Sequence, residues 1–345
     1  MEPLRIGFIG AGENTRSRHL PGFQAIEGVV CAAVCNRSEE SARRVAAEFG
    51  VLRVVADWRD IIADDAIDAV CIGTWPNMHA ETTVAALDAG KHVLVEARMA
   101  RNLIEACAMQ AAAACHPDLV SQIVPAPLSL NYDATIRRLL PDLGVLREAR
   151  ITSSSATNSS PATPLSWRQD VDLSGVNTMT LGILYETLQR WLGPPDPDWI
   201  AAEARTFTPM RCDREGNSHA VTVPDSVSVL GGYASGMALV ACVTSVASGP
   251  AVSEIRLDGE SGTLRMDLSN QRLMFSAVGS QEENEIPPDV GTAHGWQVEA
   301  DFAASIRDGR PVKLTTFVEG VRYMTFTELA HRSWNAGGSR LRWES

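Results

Sequence analysis

A chain of 345 residues is too long for one ordinary hydrophobic core, and its 45% hydrophobic and 21% charged residues suit two folded domains rather than a disordered or fibrous chain. A net charge of −12 opposes phosphate backbones, so nucleic acid is excluded as an expected partner. Seven cysteines without a CxxC pair, scattered histidines and no apolar run of roughly 20 residues exclude a disulfide scaffold, a zinc site and a membrane span; a cytoplasmic protein with no metal and no signal peptide is expected.

In chain order, LRIGFIG (4–10) predicts a short buried strand ending in glycine. A polar helix follows from about Asn14 to Ile26, with Pro21 expected to kink or restart it. GVVCAAVC (28–35) predicts a second strand. SEESARRVAAEFG (38–50) is an amphipathic helix with Ser38 as N-cap and Gly50 as terminator. LRVV (52–55), IDAVCIG (67–73), HVLVEA (92–97) and LVSQIV (119–124) read as further strands, with helices over WRDIIA, 79–90 and 101–115. These strands are nearly all-apolar, as in a parallel sheet buried on both faces, and the alternation predicts a doubly wound α/β domain over 1–124. From Val124-Pro125 onward the pattern changes. Segments 148–156, 199–209, 226–236, 237–247, 253–268 and 271–277 are strand-like with turns between them, and 298–309 and 318–334 read as helices. A second domain over 125–345, with hairpin-paired strands, is expected.

The first strand-to-helix junction, GFIGAGENTR (7–16), carries Gly10 and Gly12 as G-x-G, with Thr15 at the third glycine position. The first glycine permits the tight turn, the second lets backbone approach a pyrophosphate, and the helix start offers free N–H groups. Glu13, Asn14 and Thr15 complete this candidate cofactor loop. The second strand ends at Asn36, where an acidic residue would hold ribose hydroxyls. Asn36 is neutral, and Arg37, beside Ser38, can pair with a 2′-phosphate, which favours NADP over NAD. The alternative is that Arg37 is a solvated loop cation. Thr74, Trp75, Asn77 and His79 follow the fourth strand, beyond the carboxyl edge where open α/β sheets bind ligands.

GFIGAGENTRSRHLPGF, GTWPNMHAETTVAALDAGKHVLVEA and LSGVNTMTLGILYETLQRWLG together resemble the Gfo/Idh/MocA oxidoreductases, and the resemblance runs over essentially the whole chain. It implies an N-terminal Rossmann domain and a C-terminal α/β domain with a large, open, mostly antiparallel sheet. It also implies NAD(P)-linked chemistry at a secondary alcohol or ketone of a sugar, cyclitol or related compound, and a homo-oligomer, dimer or tetramer, formed through the outer face of that sheet. The family's Glu-Lys-Pro at the end of the fifth strand reads Glu96-Ala97-Arg98 here. The resemblance places Glu96 near the nicotinamide ribose and the loop after strand four under the nicotinamide. The family's Asp-x-Gly-x-His, aligned on Gly182, reads Thr180 for the aspartate and Leu184 for the histidine.

With lysine, aspartate and histidine all replaced, other groups must act if the protein turns over. Arg98 does not deprotonate, but it can polarise a carbonyl or hold a carboxylate. Asn177, Thr180 and Leu184 share one helix face. Tyr185, about 100° round the helix, is a candidate general acid, against a packed tyrosine with its hydroxyl satisfied. Asn177 and Thr180 are candidate hydrogen-bonders, against helix-start capping. Asn131, Trp167 and Arg168 are candidate substrate residues, Trp167 by stacking on a sugar ring. A second class of function stays open: a dinucleotide-binding sensor or regulatory protein without turnover.

Overall fold

The computed structural model describes residues 2–344. Contacts divide the chain into two units, Met1–Pro125 with Gln297–Val321, and Ala126–Trp296 with Arg322–Ser345. This departs from the expected partition at 1–124 and 125–345 chiefly in one segment, because 297–321 packs with the first unit.

The first unit contains β1 (Leu4–Ile9), β2 (Val29–Cys35), β3 (Arg53–Val54), β4 (Ala69–Ile72), β5 (His92–Val95) and β6 (Ser121–Ile123), in spatial order β3-β2-β1-β4-β5-β6. Every pairing is parallel. Ile6, Phe8, Val34, Val70, Val93 and Leu94 are fully buried, which explains why these strands read as unbroken apolar runs. Between them run α1 (Leu20–Gln24), α2 (Glu39–Phe49), α3 (Trp58–Ile62), α4 (Pro76–Asp88) and α5 (Leu103–Cys115). Ser38 caps α2 by accepting from the Ser41 amide, and Gly50 ends it at φ +62°. The expected break near Pro21 takes a specific form. A π-helical turn, Thr15–His19, precedes α1, which restarts with Pro21 in its first turn, where a missing N–H is harmless. Strand order reverses between β1 and β4, so the ends of these two strands flank the place where this topology receives ligands.

The second unit begins with α6 (Asp133–Leu139). Its sheet contains β7 (Leu146–Ser154), β8 (Trp199–Arg205), β11 (Ser226–Gly232), β12 (Ala238–Thr244), β13 (Val252–Gly259), β14 (Gly262–Asp267), β15 (Arg272–Ala277), β16 (Asn284–Ile286) and β17 (Leu341–Arg342). The order is β16-β15-β14-β13-β7-β12-β11-β8-β17; only β7 and β12 pair in parallel. The hairpin β9 (Met210–Cys212) and β10 (Ser218–Ala220) stands apart from it. Burial alternates along β11, β12 and β14, so one face is dry and the other carries polar residues such as Arg150 and Arg256. Two helices, α7 (Val171–Ser174) and α8 (Leu181–Leu192), follow β7. Before β17 come α9 (Val298–Asp308) in the first unit and α10 (Phe317–Asn335), within which the division between units falls. The α/β class and the contrast between a parallel and a mostly antiparallel sheet are as expected. Among the described residues no helix is long and apolar enough to cross a membrane.

Candidate functional site

The carboxyl edge of the parallel sheet gathers Gly10, Asn36, Gly73 to Trp75 and Glu96. Gly10 has φ +82°, and a Cβ there would lie 2.7–2.9 Å from Thr74 and Gly73, so glycine is required by the protein itself. Gly12 differs. A Cβ on it would meet nothing nearer than the Gly73 carbonyl at 3.7 Å, so the exposed second glycine leaves room for something outside the chain.

Thr15, expected to touch the cofactor, is buried, and its Oγ1 donates to the Gly10 carbonyl at 3.3 Å. A Cβ on Gly73 would sit 2.1 Å from that same Oγ1. The close helix-to-strand approach that a third loop glycine usually permits is achieved here by a glycine on the opposite side. Thr15 is therefore a packing residue.

The ribose-side residues are similarly engaged. Asn36 Oδ1 accepts from the Ala11 amide at 2.6 Å and its Nδ2 donates to Ser41 Oγ at 3.0 Å. The position thus braces the glycine loop and brings no negative charge. Arg37 is exposed, and its guanidinium carbon lies 5.3 Å from the centroid of the Trp75 ring. Ser38 is occupied as the α2 cap, and Glu13 is exposed. Thr74 Oγ1 and Asn77 Oδ1 are buried and make no hydrogen bond within the protein. Those two orphaned atoms, the room over Gly12 and the Trp75-Arg37 stack all fit a dinucleotide at this edge.

His79 lies inside the protein. Its Nδ1 is 2.9 Å from the Arg98 carbonyl and 3.2 Å from that of Met99, while Nε2 is 3.1 Å from the Thr74 carbonyl. It ties the loop after β4 to the loop after β5. Burial lowers its pKa, while hydrogen bonds to these carbonyls act against that fall. His79 is a brace for the site rather than a direct ligand.

Glu96 is held from three sides. Asn14 donates to its Oε1, His19 Nε2 lies 2.9 Å from the same oxygen, and the Ala97 amide donates to Oε2 at 3.2 Å. Burial opposes its charge, but the His19 and Asn14 hydrogen bonds hold its pKa below the usual glutamate value. Its side chain retains 14% exposure. Arg98 is 6% exposed, so it is a fixed cation rather than a solvated one at a strand end. His19 and Glu299, which bonds its other ring nitrogen, are the residues that sequence reasoning passed over. A partner 280 positions away leaves no local pattern to read.

In the second unit, Thr180 flanks the start of α8 and reaches Ser153 Oγ at 3.4 Å. Leu184, at the family's histidine position, is 1% exposed. Tyr185 is not available as a general acid. Its ring stacks on Phe326 at 4.0 Å, its hydroxyl donates to Asp196 at 3.1 Å, and burial pushes its pKa well above the ordinary range. Asn177 is fully buried and donates to the Ser174 carbonyl at 2.6 Å, which makes it a brace of the turn before α8. Trp167 and Arg168 begin a turn capped by Ser166 and Gln169, and the Arg168 guanidinium stacks on the Trp167 ring at 4.4 Å. Asn131 is exposed. Among the described residues no His, Cys, Asp and Glu group could hold a metal ion. A cavity of about 620 Å³, lined partly by His92, Ser121 and Phe317, lies by the amino ends of β5 and β6, the wrong end of the sheet for this site.

Residues 4–123 match the family model described as the oxidoreductase family with NAD-binding Rossmann fold, and residues 135–265 match the GFO/IDH/MocA C-terminal domain. The chain belongs to the Gfo/Idh/MocA oxidoreductases. It is 38% identical over 103 residues to the 4-carboxy-2-hydroxymuconate-6-semialdehyde dehydrogenase of a Sphingobium species, 30% of this chain and 32% of that protein. It is 30% identical over 189 residues to the levoglucosan dehydrogenase of Pseudarthrobacter phenanthrenivorans, 51% of this chain and 47% of that one. These curated relatives are therefore matched over a third to a half of their length. Among solved structures, an oxidoreductase domain protein from Kribbella flavida superposes with a TM-score of 0.89 at 24% identity over the full length of both chains. A levoglucosan dehydrogenase in complex with NADH and L-sorbose gives 0.86 at 23% identity over 99% of both. At these identities the two structures attest the fold of this Gfo/Idh/MocA member.

Proposed function

We propose that the protein is an NAD(P)-dependent oxidoreductase acting on a secondary alcohol or ketone of a sugar, cyclitol or glycoside-like small molecule. The observation that carries this reading is the dinucleotide-shaped edge: room above Gly12, orphaned Thr74 and Asn77 oxygens, and an ordered Glu96 beside Asn14. When bound there, a nicotinamide would supply or accept the hydride. Gly10 makes the turn, Gly12 and the backbone amides that follow it would hold the pyrophosphate, and Asn14 and Glu96 would hold the ribose next to the nicotinamide. Arg37, with no acidic residue at position 36, favours NADP over NAD. Arg98 stabilises negative charge that develops on the substrate oxygen, a task open to a group that never gives up its proton. Thr180 and the Trp167-Arg168 pair are the second unit's candidates for hydrogen bonding and stacking on a sugar ring. A second copy of the chain is the expected partner, through the polar face of the nine-stranded sheet.

A dinucleotide-binding sensor on the same fold is the second reading, favoured by Ala97 at the lysine position and by a leucine buried in the core at the histidine position. Fluorescence titration with NADPH and NADH, then a polyol and glycoside panel with the tighter cofactor, separates the two. Binding with reduction of the oxidised form of that cofactor supports the enzyme. Binding without turnover on any compound supports the sensor, and binding of neither dinucleotide removes both.

A further inference from the structure

The charge cluster behind Glu96 does more than fill space. His19 ends the π-helical turn and is wholly buried. Its Nε2 faces Glu96 Oε1 at 2.9 Å and its Nδ1 faces Glu299 Oε1 at 2.5 Å. Ionised carboxylates only accept, so both ring nitrogens must donate, and a neutral imidazole has one N–H. The geometry therefore calls for an imidazolium. Burial opposes that charge, yet the hydrogen bonds to Glu299 and Glu96 push the pKa up to about 9. The backbone is shaped for this contact too. A Cβ on Gly22 of α1 would lie 2.7–2.8 Å from the Glu299 carboxylate, so a glycine inside a short helix, normally unfavourable there, clears the approach of α9. Phe23 packs edge-on to Phe302 at 6.2 Å beside it.

We propose that His19 is a positioning residue: it clamps Glu96 from behind and anchors that clamp on Glu299, so that the setting of Glu96 and Asn14 for the dinucleotide depends on α9. This rests on the reading of Asn14 and Glu96 as dinucleotide residues. The charged groups facing His19 are Glu96 from the end of β5 and Glu299 from α9. Cys71 of β4 feels both carboxylates and His79 of α4 feels Glu96; the Cys71 thiol is driven well above its ordinary range by burial and stays protonated.

The test is a fluorescence titration with NADPH and NADH on full-length wild type, His19→Gln and Glu299→Gln, from about pH 6.5 to about pH 10, with thermal unfolding alongside. Wild-type affinity should stay level to about pH 8 and fall as the imidazolium is lost near 9. His19→Gln should bind at least about tenfold more weakly, with no such fall. Glu299→Gln keeps an acceptor for Nδ1 but loses a charge, so its fall should begin about one pH unit lower. Lowered melting temperatures with wild-type affinities and an unchanged pH profile would mean a purely structural role and overturn the proposal. If His19→Gln does not fold, the position of the Glu299→Gln fall decides alone. Wild type that binds neither dinucleotide defeats the proposed function and this inference together. Normal wild-type binding with unshifted variants defeats only the inference.

Discussion

Among the described residues, each unit contains a buried cluster of charges around one cation, and the two clusters are built differently. In the second unit Arg190 is enclosed. It bonds Asp133 at 3.1 Å and Glu186 at 2.9 Å, Trp191 Nε1 and Ser129 Oγ also donate to Asp133, and the Ala126 amide donates to Glu186. Burial disfavours the Arg190 charge, and the two carboxylates more than restore it. Every bond there closes within the protein, joining α6, α8 and the chain entering the unit. The His19 cluster in the first unit is equally dry at its centre, but one member, Glu96, stays partly exposed and bonds the loop that holds Gly12. The first arrangement can only stabilise. The second can also transmit, because a change behind Glu96 reaches a face open to ligand.

The largest break in this comparison is Arg190→Met. It leaves two buried carboxylates without their cation and should lose about 3–5 kcal/mol of stability, read by chemical denaturation. The His19 cluster has a pH signature instead. Its folded pKa of about 9 lies above the ordinary 6.5, so its contribution is complete below about 6.5 and vanishes as pH rises through about 9. Unfolding free energy should drop by up to about 3 kcal/mol over that window, and the drop should be absent in His19→Gln. Gly12→Ala sharpens the contrast between fold and ligand. The chain has room for the methyl group, so stability should change by less than about 1 kcal/mol, while dinucleotide affinity falls more than about tenfold. Wild-type affinity in that variant would refute the pyrophosphate at Gly12. Arg37→Ser should weaken NADPH binding by about tenfold and leave NADH unchanged; equal effects would reduce Arg37 to a stacking partner of Trp75. The smallest effect belongs to Tyr185→Phe, about 1 kcal/mol for the lost bond to Asp196, with no change in any pH–rate profile.

How much of the site could be read beforehand differs residue by residue. Gly10 was legible because a strand ending in glycine before a helix has one local meaning. Asn36 and Arg37 were legible as positions, since the end of the second strand is fixed by its apolar run. The brace that Asn36 makes to Ala11 was not. Tyr185 stayed open between a general acid and a packed tyrosine because helical phase places a residue within about 100° but does not tell which flanking surface is core. Phe326, the ring it stacks on, lies 141 residues away in sequence. The role of Thr15 was hidden for a related reason: the missing third glycine was replaced just after β4, at Gly73, where no motif looks for it.

The sequence by itself determined what depends on neighbours along the chain: the alternation of strands and helices, the parallel and antiparallel characters of the two sheets, the caps at Ser38 and Gly50, and the glycine turn. Those features follow from side-chain periodicity and backbone sterics within a few residues. Only the tertiary structure decided that 297–321 returns to the first unit and that Glu299 meets His19. It also decided that Tyr185 and Asn177 are braces and that Gly73 does the work of a loop glycine. Such contacts join single polar or small residues across tens to hundreds of positions, and a single contact has no period for a pattern to reveal.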